Sequence, residues 1–215
     1  MRVAPEGWQF IRIGVGLEAA LLVVWWAWGG WTAVLPALFA LVVMWLFVFF
    51  RDPEREGPRG DGLVIAPADG RICSIAQVDE PVYLHQKATR ISIFMNVFNV
   101  HVNRYPVSGE IEIVHYNPGE FLAASTEKAS LVNEQASIGI RAARGPVLVR
   151  QIAGLIARRI VTDGEPGQRA EQGARLGMIR FGSRVDVFLG PAAAVKVELN
   201  QTVHAGRTVI AELPA

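Results

Sequence analysis

Three short stretches of this 215-residue chain hold side chains of the types that do covalent chemistry. Residues 177–189, GMIRFGSRVDVFL, set Gly182-Ser183 between two strand-like runs. Glycine permits unusual backbone angles. A serine hydroxyl directly after it can attack the Gly182 carbonyl where the bond is strained and a base stands near. Phe181 and Val185 break the G-x-S-x-G of a serine-hydrolase elbow, and a Gly-Ser pair alone is an ordinary loop dipeptide. Residues 91–109, ISIFMNVFNVHVNRYPVSG, run a hydrophobic strand into His101, Asn103 and Arg104. A histidine at a strand end suits acid/base work, or is a half-buried ring satisfied by a backbone carbonyl. Residues 66–70, APADG, put Asp69 in a tight turn after an apolar strand, a place where aspartate is also common for local reasons.

The background composition is quiet. Lys+Arg total 21 against Asp+Glu 20, a formal net charge of +1, which excludes both the basic footprint of a nucleic-acid binder and a disordered acidic chain. The single Cys73 cannot form an intramolecular disulfide, and no residue spacing suggests a metal site.

The first fifty residues differ from the rest. Of the 38 positions in 13–50, 31 are apolar, and Glu18 is the only ionisable one. Residues 31–50 have the roughly 20-residue length needed to span a bilayer, while 13–28 fall slightly short. Gly29-Gly30 reads as a turn between them. All six tryptophans lie in the first 45 residues, four of them (Trp25, Trp26, Trp28, Trp31) around that turn, where indole favours an interface. Arg2 and Arg12 flank one end, and Arg51, Arg55 and Arg59 the other. Residues 1–50 are therefore expected to form a transmembrane helical hairpin with both ends in the cytoplasm.

From Gly62 onward the texture is period-two alternation broken by Gly and Pro, over 71–78, 90–95, 110–116, 137–142, 147–152, 174–180, 184–189 and 207–213. That pattern predicts a mostly β (α+β) domain over 51–215. Residues 119–130 and 152–161 are candidates for short helices, which periodicity alone does not settle. The run 63–72 through Asp69-Gly70 is faintly echoed by 195–211 through His204-Ala205-Gly206. Each unit looks like the strand–turn–strand of a lipoyl-like β-barrel or sandwich.

Taken together and in order, the stretches resemble the phosphatidylserine decarboxylase proenzymes, in their short form. The resemblance runs over RDPER at 51–55, APADG at 66–70, FNVHVNRYPVSG at 98–109, YNPGEF at 116–121, KAS at 128–130, QIAGLIARRIV at 151–161 and GMIRFGSRVDVFL at 177–189. It implies that Ser183 attacks the Gly182 carbonyl and that the chain cuts itself between 182 and 183. Ser183 then becomes a pyruvoyl group, a covalent cofactor that forms a Schiff base with the substrate amine. Phosphatidylserine in the membrane would be decarboxylated to phosphatidylethanolamine. The active form would be a heterodimer of chains 1–182 and 183–215, open to further self-association, at the cytoplasmic side of the cell membrane.

Asp69 and His101 match family residues of self-cleavage and catalysis, with Asp69 expected to act together with His101. Longer relatives carry a second histidine where this chain has Arg104, so His115 is a further candidate base. Arg104, Lys128, Arg158, Arg159 and Arg180 are candidates for the substrate's phosphodiester or carboxylate. A decarboxylase of another seryl phospholipid, such as an ether lipid, and a non-enzymatic anchored adaptor with a lipoyl-like barrel are the competing readings.

Overall fold

The structure, a computed structural model, describes residues 2–119, 133–154, 160–180 and 183–214. Contacts divide the chain into Met1–Pro53 and Glu54–Ala215. In the first unit α1 (Trp8–Trp28) and α2 (Val34–Phe49) lie side by side, and β1 (Arg2–Val3) pairs antiparallel with β2 (Arg51–Asp52). The Ala4 amide donates to the Phe50 carbonyl at 2.8 Å, and Phe10 stacks on Phe50 with ring centres 5.5 Å apart. Gly29 ends α1 at φ 65°, a backbone angle that favours glycine. Pro36 falls in the first turn of α2, where its missing N–H breaks no helical bond.

Both helical stretches, Pro5–Trp28 and Gly30–Phe49, are long and apolar enough to cross a membrane. The first exceeds the run counted from residue 13, because the helix continues back through Arg12 and Gln9 to Trp8. Polar side chains near a helix end do not stop backbone hydrogen bonding. Its 24 residues reach about 36 Å at 1.5 Å per residue, against roughly 30 Å of hydrocarbon.

The second unit is mostly β. In chain order it holds β3 (Leu63–Ile65), β4 (Gly70–Glu80), β5 (Gln86–Met95), β6 (Val102–Arg104), β7 (Gly109–Asn117), β8 (Gln135–Ala142) and β9 (Gly145–Ala153). There follow β10 (Ile160–Thr162), β11 (Arg169–Ala170), β12 (Arg175–Ile179), β13 (Ser183–Leu189), β14 (Ala194–Val195), β15 (Thr202–Val203) and β16 (Val209–Glu212). An antiparallel sheet runs in the order β11-β7-β8-β9-β13-β5-β4-β15. Two three-stranded sheets, β10-β12-β6 and β14-β16-β3, accompany it. The alternating runs of the sequence thus emerge as the long strands, with a mostly β domain behind two apolar helices. The stretch 152–161, a candidate for a short helix, is strand at its ends, since β9 extends through Ala153 and β10 starts at Ile160. Residues 155–159 and most of 119–130 lie outside the described residues.

β13 occupies the middle of the large sheet, and every one of its residues is buried. Val185, Val187 and Leu189 face the main core, with Ile91 and Ile93 of β5 and Val149 of β9 beside them. Period-two alternation sends Arg184 and Asp186 to the opposite face. There the guanidinium Nε and Nη2 donate to the two carboxylate oxygens at 2.7 and 2.8 Å, with the side chains 2% and 0% exposed. Removing one member of such a pair strands the other charge, whereas removing both need not destabilise. Arg184→Leu is expected to lower stability by about 3–5 kcal/mol, seen as a fall in Tm. Arg184→Leu combined with Asp186→Leu should recover most of it in the same thermal melt.

Candidate active site

Register brings the three sequence stretches together. β5 and β13 are paired so that Ser183 stands opposite Met95, with Ala153 of β9 on its other side. β6 and β12 are paired through Val102–Met178 and Asn103–Gly177. The chain therefore crosses between the same two sheets twice, from Met95 to Val102 and from Ile179 to Ser183. His101 lies in the first crossing and the Gly182-Ser183 bond in the second. The third stretch joins them through the Arg104 amide, which donates to the Pro67 carbonyl at 2.8 Å.

Ser183 is fully buried, and its hydroxyl donates to the Met95 sulfur at 3.4 Å. His101 is also fully buried, with Nδ1 3.0 Å from the Asn99 carbonyl oxygen. A carbonyl partner requires Nδ1 to carry the hydrogen, which makes Nε2 the basic nitrogen of the neutral ring. Gly182, Lys128, Arg158 and Arg159 lie outside the described residues.

Asp69 is 6% exposed. Arg55 Nη2 meets its Oδ2 at 2.7 Å, the Ala205 amide donates to its Oδ1 at 2.8 Å, and His204 Nδ1 lies 4.0 Å from Oδ2. The carboxylate is thus engaged by Arg55 and the 204–206 turn rather than hydrogen-bonded to His101. Arg55 is only 8% exposed at its side chain, so it belongs to this site rather than to a cationic flank facing lipid. Gly70 follows with no side chain because a Cβ there would overlap the Phe94 carbonyl oxygen.

His204, given no role by the sequence, was signalled only by the faint echo. The two echoed turns pack on each other, with Gly206 N–H donating to the Ala66 carbonyl and Ala66 N–H to the Thr208 carbonyl at 2.9 and 2.8 Å. His115 stands exposed on β7, three strands from β13, about 14 Å away at 4.8 Å per strand. It is not placed to serve Ser183. Arg104 is half-buried and donates from Nη1 to the Gly173 carbonyl at 3.0 Å. Cys73 is no rival nucleophile, since burial pushes its thiol up from the ordinary range, against a smaller opposing pull from Arg184. Among the described residues no cluster of His, Cys, Asp and Glu could hold a metal ion.

The model of the family described as phosphatidylserine decarboxylase matches residues 43–211. The chain belongs to the phosphatidylserine decarboxylase family. A phosphatidylserine decarboxylase proenzyme of Symbiobacterium thermophilum is 49% identical over 213 residues, 99% of this chain and 96% of that protein. The protein of the same name from Nitrosomonas eutropha is 50% identical over 98% of this chain and 94% of its own length. The one from Ruegeria pomeroyi is 44% identical over 97% of this chain and 94% of its own length. Membership in an enzyme family sets aside the adaptor reading. The proenzyme name of these relatives describes a precursor that is processed.

Arg55→Leu would leave the buried Asp69 carboxylate with the Ala205 amide and, 4.0 Å away, the His204 ring. The loss expected is about 3–5 kcal/mol, with Arg55→Lys intermediate because a lysine keeps the charge but loses the planar fork. Denaturant midpoints of the two variants check both the sign and the order.

Proposed function

We propose that the chain is a self-processing, membrane-anchored phosphatidylserine decarboxylase. Ser183 Oγ attacks the Gly182 carbonyl carbon, the Gly182–Ser183 C–N bond breaks, and the hydroxyl proton passes to the freed serine amine, giving an ester. Loss of the Ser183 Cα proton then breaks the Cβ–O bond and frees the Gly182 carboxylate. The dehydroalanine left at residue 183 takes up one water and releases ammonia, leaving a pyruvoyl group at the head of a 33-residue chain, 183–215.

The observation that carries this reading is the position of Ser183 as the first residue of a strand paired on both sides. Its new end would be held in place, in a water-excluding setting beside Met95 and Ala153. Residues 183–215 also contribute β15 to the large sheet and β14 and β16 to the one containing β3. A cut before Ser183 would leave these ladders intact, so the two chains would remain one folded unit. These features fit a pyruvoyl group at residue 183. Such a group supplies an electrophilic carbonyl, an electron sink that no ordinary side chain provides for the pair left behind when CO2 departs.

The chain's own residues do the rest. His101 Nε2, in the tautomer fixed by Asn99, takes up or delivers a proton. Asp69, clamped by Arg55, fixes the 66–70 turn against the 204–206 turn and thereby the end of β6, where the Arg104 amide meets Pro67; we assign it a positioning role, with His204 as its second cation when protonated. Arg104, with Lys128 and Arg158, is assigned to the anionic headgroup. The apolar helices keep the site at the bilayer where a diacyl substrate resides. The arginines at both ends, Arg2, Arg12 and Arg51, favour the cytoplasmic side.

Intact mass of the purified protein beside Ser183→Ala tests the reading. The wild-type chain is expected as two pieces split after Gly182, the smaller about 17 Da lighter than a serine-ended chain because ammonia has left. It should convert phosphatidylserine in vesicles to phosphatidylethanolamine with release of CO2. Ser183→Ala should be one chain and inactive. A folded wild-type protein that stays uncut would overturn the proposal.

A further inference from the structure

A line of polar side chains crosses the apolar core and ends at Ser183. Thr162 Oγ1 donates to Gln151 Oε1 at 3.0 Å, Gln151 Nε2 donates to Asn103 Oδ1 at 2.8 Å, and Asn103 Nδ2 donates to the Met95 sulfur at 3.7 Å. The same sulfur accepts the Ser183 hydroxyl at 3.4 Å. Gln151, Asn103, Met95 and Ser183 are all 0% exposed. Each link fixes the next. The sulfur can only accept, which turns the Asn103 amide hydrogens to Met95 and its oxygen to the Gln151 amide, and so leaves the Gln151 oxygen to accept from the Thr162 hydroxyl.

Two buried primary amides among Ile93, Val185 and Ala153 are expensive without partners, and a network serving stability alone would end on a strong acceptor. This one ends on a thioether, the weakest acceptor among the side chains, carried by a flexible residue with three rotatable bonds. We propose that Met95 sets the orientation of the Ser183 hydroxyl for self-processing, and that Thr162, Gln151 and Asn103 are positioning residues that hold the Met95 sulfur there. A weak acceptor directs the O–H bond while leaving the oxygen lone pairs uncommitted, and it gives up the proton at little cost when a base takes it. Without the Asn103 amide the thioether is released to its other rotamers, and the hydroxyl loses its guide.

The inference rests on the proposed processing at Ser183, and one experiment separates the two. The proenzyme is made by cell-free synthesis, and conversion of the full chain to its two pieces is timed by gel and mass for wild type, Met95→Leu and Asn103→Leu, alongside Tm. Misplacing a reacting group typically slows a step by ten- to a hundredfold. Met95→Leu, a near volume-conserving change, is therefore expected to cut at least about tenfold more slowly with Tm within a few degrees. Asn103→Leu should slow it similarly.

Gln151→Glu supplies a readout that packing would not move. Among the described residues its side-chain partners, Asn103 and Thr162, are uncharged. The protonated carboxyl can make both bonds of the glutamine. The ionised form cannot donate, so Asn103 would turn its oxygen toward the sulfur. Processing relative to wild type should fall as pH rises through the carboxyl's titration. An uncut wild type would defeat the processing reading itself. A wild type that cuts, with Met95→Leu cutting equally fast or Gln151→Glu tracking wild type at every pH, would overturn the relay.

Discussion

The site depends on two chain crossings that must lie side by side. β5 and β13 are neighbours in one sheet, β6 and β12 in another, and the chain leaves the first pair and enters the second at the same end. Hydrogen-bond ladders at both ends of each crossing fix its points of exit and entry, Met95 and Val102 for one, Ile179 and Ser183 for the other. Side chains then refine that placement. This makes the constraint robust to sequence drift in the crossings themselves and intolerant of slips in register, since a shift of one residue would turn Ser183 to the face occupied by Arg184.

A second constraint follows from the position of β13 in the centre of the sheet. A strand buried on both faces ordinarily reads as a continuous apolar run, yet this one carries Ser183, Arg184 and Asp186. The arginine and aspartate satisfy each other in a bidentate pair on the face away from the main core, and the serine is satisfied by a sulfur. Polar residues are tolerated here because each is matched locally. The paired ladders also make residues 183–215 an integral part of both sheets, which is why the proposed cut need not separate the pieces.

The sequence was most informative where a single strand carries its own period. The long strands β4, β5, β7, β8, β9, β12 and β13 were legible as alternation, as was the apolar hairpin with its glycine turn. The family was legible because the order of its stretches along the chain is a one-dimensional property. Partner choice was not legible. Asp69 engages Arg55 and the Ala205 amide because two distant turns pack together, and only a faint repeat between 63–72 and 195–211 hinted at it. His115 stood as a further candidate base until strand order put two strands, β8 and β9, between β7 and β13. The run 152–161 was open between helix and strand because a short apolar run fits either period, and pairing with β13 and β12 decides its two ends, 152–153 and 160–161, as strand.

Burial of Ser183 is at first sight awkward for a nucleophile, because catalytic serines that meet external substrates need access. On the proposed chemistry the first electrophile is the chain's own backbone, covalently attached and present at full effective concentration, so access is irrelevant to the first step and exclusion of water is an advantage. Water admitted at the ester would divert processing to plain hydrolysis and leave a serine instead of an electrophilic carbonyl. The demand for access arises only after the cut, when the bond at 182–183 no longer ties β12 to β13. After that cut the ladders to β5 and β9 would hold the new end. On the proposed chemistry, the reaction that makes the electrophilic carbonyl also breaks the covalent link ahead of it. A proenzyme with its serine packed in a dry core and an enzyme with an accessible carbonyl are then compatible states of one sheet.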